Sequence, residues 1–489
     1  MPDQRLLSLV QWCGQVTDGR CGYCQPKRET SNGSDDSSTS GDERQGKSCS
    51  FGLFLLKANP DDEQFLLDCG WDRSGTYLYK PTMDTTCCPQ YTIRLDVTKF
   101  RPSRTQKRVL RAAVDFLKND NKPKRFVKEE GGQARCAASS ASDEPSAKRP
   151  PAAVKERTVS AEGPRKKKLI RRERAIKRWQ EKGLDVAAEQ EKRRQKEKSR
   201  EKTLADLLPE WDESWKHRLE VETVLVGSEE YRAREHEAYQ VYLKYQTTIH
   251  NDKRASKSGF DNFLGSTPLR KELRNGITYG SFHQRYILDG KIVAVGAIDI
   301  LPWCFSSKYL FYDPDFKFLT IGTYTALREI DYIQRTLRTK SAELKYYYMG
   351  YYIYTCPKMR YKAKFQPSEL LCDESFTWKP VSECEKLLAE NEGRFTTWAG
   401  NAPPATGLNP DEVPVYSSNM AYVWRVLRAQ KPEFDTPEVN EKVAKWAKLA
   451  GPLADNICLY LNELNNRARQ EPVEAESEED DEEEEEEEA

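Results

Sequence analysis

The chain has 489 residues, 32% of them charged, with a mean hydropathy of −0.82. This excludes a single compact domain throughout and predicts two or three domains joined by segments too polar to fold. Basic and acidic residues balance at 78 each, but residues 474–489 hold 13 acids and no Lys or Arg, so the rest sets 78 basic against 65 acidic residues, a net of +13. Such a body suits a polyanionic partner.

In chain order, the opening MPDQRLLSLVQWCG lacks the pattern of a secretion signal, and no apolar run approaches the roughly 20 residues that span a bilayer. A cytoplasmic protein, with the nucleus also open to it, is expected, its thirteen cysteines kept as thiols or ligands. Residues 29–50 are Ser, Gly and charge and read as a loop. FGLFLLK and QFLLDCGW have the length of strands, and TYLYKP and YTIRLDV alternate as half-buried strands do. SRTQKRVLRAAVDFLKN, from Ser103 to Asn119, is helical with basic residues on one face. Together these predict a small α+β domain over residues 1–120.

Residues 121–202 change to Pro, Ala, Ser, Lys and Glu, and 165–202 carry 17 basic and 7 acidic residues. This predicts a disordered basic linker; a long charged helix, a localisation signal such as PRKKKLIRR and an RNA-binding arm are the alternatives. A second domain runs over 203–470. EEYRAREHEAYQVYLKYQTTIHN is an amphipathic helix with an aromatic face. GSFHQRYILDGKIVAVGAIDILPW is a hairpin turning at Asp289-Gly290. KYLFYDPDF is a strand, TIGTYTALREIDYIQRTLR a helix and LKYYYMGYYIY a strand. Hairpin, strand, helix, strand is the order of an N-acetyltransferase-like (GNAT-like) α/β core. Residues 471–489 are expected to be an acidic, disordered tail.

Two constellations carry chemistry. Cys21 and Cys24 stand in DGRCGYCQP, a spacing that lets both thiolates face one metal. Cys87 and Cys88 are adjacent, which suits different corners of an iron–sulfur cluster better than one zinc ion; ordinary buried thiols are the bland alternative. Around residues 346–361, seven tyrosines lie beside Lys358, Arg360, Lys362 and Lys364. That mix suits a single-stranded nucleic acid, though a buried strand followed by a solvated loop accounts for it more simply. There is no Walker motif, so no ATP site is expected, and no HExxH. Only His217, His236, His250 and His283 are present, which makes a His-based metal site improbable. LTIGTYTALRE has one glycine where a coenzyme A pyrophosphate loop needs several, so coenzyme A is not expected.

CGYCQP, CCPQYTIRLDV, VYLKYQTTIH, LFYDPDFKFLTIGTYTALREI and YYYMGYYIYTCPKMRYKAKFQPSELL resemble the eukaryotic arginyl-tRNA–protein transferases, over roughly residues 10–120 and 205–400. The resemblance implies transfer of arginine from arginyl-tRNA to the α-amine of proteins beginning with Asp, Glu or oxidised Cys. The product is an N-degron read by a ubiquitin ligase downstream. It also implies an iron–sulfur cluster, with zinc as the alternative, on Cys21, Cys24, Cys87 and Cys88, and a GNAT-like C-terminal domain. On charge and position, His283, Gln284 and Asp299 are candidates for catalysis. Arg328, Lys358 and Arg360 would meet an acidic acceptor, Asp299 and Glu329 the incoming arginine, and Tyr348 and Tyr351 the RNA. The rival reading is a non-enzymatic RNA-binding or metal- and redox-sensing adaptor.

Overall fold

The computed structural model describes residues 7–24, 46–123, 167–199, 202–398, 400, 407–451 and 454–461. The acidic tail, the first half of the expected linker and most of the polar loop at 29–50 lie outside them.

The described chain builds two sheets. The first contains β1 (Ser8–Arg20), β2 (Lys47–Lys57), β3 (Asp72–Ser74), β4 (Tyr77–Pro81), β14 (Pro414–Ser417), β15 (Met420–Val423) and β16 (Ile457–Tyr460), in the order β15-β14-β16-β1-β2-β4-β3. One face of it packs on α1 (Pro60–Asp68), α11 (Trp424–Gln430) and α12 (Pro437–Ala450), burying Leu53, Leu55, Trp71, Val415, Trp446 and Leu459. Alternation of buried and exposed residues along β2 follows from the two-residue period of a strand with one wet face.

The second sheet contains β5 (Tyr91–Asp96), β6 (Leu219–Leu225), β8 (Ile277–Leu288), β9 (Lys291–Ile300), β10 (Cys304–Tyr312), β11 (Tyr346–Tyr352), β12 (Ser368–Leu371) and β13 (Trp378–Pro380), ordered β13-β12-β5-β11-β10-β9-β8-β6, with β7 (Glu272–Arg274) paired to β8. The hairpin expected at Asp289-Gly290 joins β8 and β9. Both turn residues have positive φ, 49° and 83°, as a two-residue hairpin turn requires. α8 (Ile321–Tyr332) connects β10 to β11, which run parallel. The two strands pair only over Cys304–Ser306 and Tyr346–Tyr348 and then separate, leaving a wedge at their C-terminal ends.

α2 (Arg104–Asn119) matches the helix read from the sequence, closed by a capping box of Ser103 and Gln106. The aromatic helix breaks at Arg234 into α5 (Glu229–Ala233) and α6 (Glu235–Tyr245) and ends in a wide turn at Gln246–His250.

Three expectations are corrected. QFLLDCGW is largely helix, not strand: α1 begins at Pro60 and carries Asp61, Asp62 and Glu63 in its first turn, the residues a helix N-terminus favours. The boundary at residue 120 does not separate the sheets. β5 inserts between β11 and β12, and β1 pairs with β16, so the N-terminal residues are woven into both. The second half of the expected disordered linker contains α3 (Lys167–Glu181) and α4 (Val186–Ser199), the charged helix that stood as the alternative.

Candidate functional site

The four cysteines come from two chain segments joined by β-pairing. Cys21 follows β1, and its N–H bonds Gly46 O at 2.8 Å; Cys87 N–H bonds Lys47 O at 3.0 Å. The start of β2 therefore holds both pairs. A turn in which Thr86 N–H bonds Thr82 O at 2.9 Å presents Cys87 and Cys88. All four sulfurs lie within 4.8 Å of one another, and Cys24 Sγ and Cys87 Sγ are 3.2 Å apart. Beneath them pack Ile353, Cys356 and Met359.

Burial opposes ionisation of Cys21, but the Cys24 and Tyr23 N–H groups and the neighbouring thiols outweigh it and lower its pKa. Burial, then the adjoining sulfurs, push Cys87 up to about 12 and Cys88 well above its usual range. Such a set ionises together only around a cation. A tetrahedral ion with sulfur bonds of about 2.3 Å sets its ligands about 3.8 Å apart, which lies within the 4.8 Å limit on the four sulfurs. The donor set therefore fits a metal.

The residues selected for catalysis do not converge. His283 and Gln284 are neighbours on β8 and so face opposite sides of the sheet. His283 is fully buried, its Nε2 3.0 Å from Leu264 O and its Nδ1 without a partner among the described residues. Burial lowers its pKa to about 4, so it is neutral at pH 7. Between about pH 6.5 and 4 the unfolded chain binds a proton that the folded chain refuses, so stability falls as pH falls, by up to about 3 kcal/mol. The His283→Gln variant should show a shallower loss over that interval in denaturant titrations. Parallel curves would contradict this account of His283.

Asp299 belongs to a buried array. Its Oδ2 accepts from Arg73 Nη2 at 2.5 Å and pairs with Lys308 Nζ at 3.7 Å, while Ser281 Oγ donates to its Oδ1 at 2.5 Å. Glu63 Oε1 accepts from Arg73 Nε at 3.2 Å and from Lys308 at 3.4 Å, and Asp72 accepts from Lys308 at 3.0 Å. Burial opposes the charge on Arg73 and Lys308, but the carboxylates outweigh it and raise both pKa values. The array ties α1 and β3 to β9 and β10. Both Asp299 oxygens are committed to it, which argues against its expected roles as a catalytic group or a partner for incoming arginine.

Gln284 donates to Thr223 Oγ1 at 3.3 Å and accepts from Tyr286 at 2.7 Å; a cavity of about 270 Å³ places it beside Arg328 and Asp331. Glu329 lies deeper, 2% exposed, where β10 and β11 part. Tyr347 donates to it at 2.5 Å, and burial lifts its pKa to about 7. Gly296 makes room for it: a Cβ there would sit 2.8 Å from Glu329 Oε1.

Tyr348 and Tyr351 are corrected from RNA contacts to core residues. Both are buried; Tyr348 donates to Asp68, and Tyr351 to Gly70 O at 3.0 Å. Lys358 and Arg360 are exposed on α9 (Pro357–Arg360), Arg360 over the Tyr354 ring at 4.7 Å. Sequence reasoning missed Arg73, Glu63 and Cys356. Lys308 in CFSSKYLFY and Asp299 in VAVGAIDI, charges inside strands, were the local signs of a buried array.

Comparison with known proteins places this arrangement. Residues 19–108 match the family described as arginine-tRNA-protein transferase, N terminus, and residues 237–372 its C terminus. An arginyl-tRNA–protein transferase 1 of Drosophila melanogaster is 36% identical over 77% of this chain and 83% of its own length. An arginyl-tRNA–protein transferase 2 of Arabidopsis thaliana is 34% identical over 78% of this chain and 76% of its own. An aspartate/glutamate leucyltransferase of Campylobacter jejuni is 35% identical over 20% of this chain and 38% of its own. With both terminal models matched and relatives aligned across most of their length, the chain belongs to the arginyl-tRNA–protein transferase family of aminoacyltransferases.

Proposed function

We propose that this chain transfers arginine from arginyl-tRNA to the N-terminal α-amine of proteins beginning with Asp, Glu or oxidised Cys. The product is an N-degron for a ubiquitin ligase, in the cytoplasm and nucleus. The observation that carries the reading is family membership across both terminal regions. Similarity to a relative named as an aspartate/glutamate leucyltransferase supports an acidic acceptor. Membership in an enzyme family weighs against a non-catalytic adaptor.

The chemistry asks little of the protein beyond positioning. The aminoacyl ester is already activated, so no nucleotide is consumed. The attacking amine has an ordinary pKa of about 7.7–8.0, so a nearby base of matched pKa helps to remove its proton. The C–N bond forms as the ester C–O bond breaks, and the tRNA 3′ hydroxyl leaves with a proton. In this reading the wedge between β10 and β11, GNAT-like in its parallel strands and connecting helix, receives the acyl group. Glu329 is the best-placed base in the wedge: its pKa is near neutrality, and unlike Asp299 it forms no ion pair among the described residues. Arg328 and the exposed Lys358 and Arg360 are the cations offered to an acidic first residue.

We also propose that Cys21, Cys24, Cys87 and Cys88 hold a metal centre. Iron–sulfur and zinc remain the two possibilities. The close sulfur spacing supports a single ion such as zinc, because a cluster spreads its thiolates over several irons. A bound centre would brace Ile353 to Met359 at the far end of β11.

Labelled arginyl-tRNA and peptides beginning with Asp, Glu or Gly test the acceptor. A charge-assisted contact is worth about 1.5–3 kcal/mol, so Asp and Glu peptides should be arginylated more than about tenfold faster than Gly. Equal rates would remove the acidic specificity.

A further inference from the structure

We infer that the exposed face of α2 is a docking surface for the sugar-phosphate backbone of RNA, contacting arginyl-tRNA away from the reacting ester. The inference rests on the proposed tRNA substrate. α2 buries Gln106, Leu110, Ala113, Phe116 and Leu117 and turns Arg104, Arg108, Arg111 and Lys118 to solvent. Their spacing of four, three and seven residues places them along one stripe. At 1.5 Å per residue the three arginines span about 11 Å and the whole stripe about 21 Å, the reach of a few consecutive phosphates.

Among the described residues no carboxylate pairs with Arg104, Arg108 or Arg111. Other exposed helices do match their cations: Lys442 and Lys445 on α12 meet Glu438 and Glu441 at 2.7 Å, and Lys192 on α4 meets Glu189 at 2.9 Å. The single acid on the exposed face of α2, Asp115, accepts from Asn119 at 2.8 Å and Asn121 at 3.3 Å. Arg104 sits in the first turn, where the helix dipole disfavours a cation. Three arginines free of carboxylates, one of them against the dipole, are available to an anionic partner, and arginine's planar fork matches phosphate.

The stripe also leads toward the wedge. Gln106 Nε2 donates to Lys364 O at 3.4 Å, and Phe100 and Phe365 lie 6.3 Å apart. The start of α2 is thus fastened to the segment carrying exposed Lys358, Arg360 and Lys364. Backbone contacts on α2 and the acceptor end in the wedge are consistent with one continuous RNA path.

The test uses the full chain with Arg104, Arg108 and Arg111 all changed to Gln, against wild type and a Lys442→Gln/Lys445→Gln control. Filter binding of tRNA across salt concentrations should show the log–log slope reduced by about 2 to 3 in the triple variant, since each phosphate contact contributes about 0.7–0.9. KM for arginyl-tRNA should rise at least tenfold, with kcat and KM for the peptide unchanged; the control should match wild type. An unchanged thermal midpoint establishes that the triple variant folds. An unchanged salt slope, in a chain whose wild type binds tRNA and transfers arginine, overturns this inference alone. A wild type that binds no tRNA overturns it together with the proposed function. Loss of binding to a polyglutamate peptide with tRNA binding intact would make the surface a protein contact and also overturn it.

Discussion

If the four cysteines hold the proposed metal centre, replacing any one of Cys21, Cys24, Cys87 or Cys88 by serine will strip the metal, whereas Cys304→Ser and Cys384→Ser will leave it in place. The four sulfurs lie within 4.8 Å of one another, and a structural tetrathiolate site is worth about 10–16 kcal/mol in binding. One ligand in four then carries roughly 3 kcal/mol, and its loss weakens binding on the order of a hundredfold or more. Cys304 and Cys384 are fully buried, and burial holds both thiols well above their usual pKa. They are core residues, not ligands. Metal, iron and sulfide analysis of anaerobically purified protein reads the outcome and separates zinc from an iron–sulfur cluster. Metal content that survives Cys87→Ser and Cys88→Ser would show that the adjacent pair does not ligate.

The second large effect is expected at Arg73, which no motif marks. Arg73→Met should destabilise the fold by about 3–5 kcal/mol, the usual result of removing one partner from a buried ion pair. Glu63 and Asp299, 0% and 2% exposed in their side chains, would keep only Lys308 as a cationic partner, and Lys308 already serves Asp72. Because the array joins α1 and β3 to β9 and β10, the loss should appear as earlier unfolding of the whole molecule. Arg73→Lys should recover part of it, keeping the charge but losing the fork that reaches Glu63 and Asp299 together. A chemical-denaturation midpoint for Arg73→Met equal to wild type would show the array to be idle.

What could be read in advance was what local pattern encodes. Asp289-Gly290 between two alternating runs specified its hairpin, and Ser103 with Gln106 before an apolar stripe specified α2. The two cysteine pairs announced a common centre although 63 residues separate Cys24 from Cys87. What could not be read depends on partners far away in the chain. Asp299 looks like a free strand carboxylate until Arg73, 226 residues earlier, is placed on it. Tyr348 and Tyr351 look like a stacking surface until Asp68 and Gly70, about 280 residues away, take their hydroxyls. The domain boundary failed for the same reason. β5 fits an N-terminal domain by sequence, but its hydrogen bonds go to β11 and β12. α1 is a different kind of miss: an apolar run of strand length, overruled by the proline and acids just before it.

Acyl transfer from an aminoacyl-tRNA to a protein amine is the activity proposed for this chain. Its most direct measurement is a single-turnover reaction of the purified chain with pre-charged, labelled arginyl-tRNA and a peptide beginning with Asp, without ATP or coenzyme A. The label should move to the peptide N-terminus as uncharged tRNA appears in equal amount, at a rate that added ATP does not change. Release of free arginine with no labelled peptide, or transfer that requires ATP although the tRNA is already charged, would contradict it.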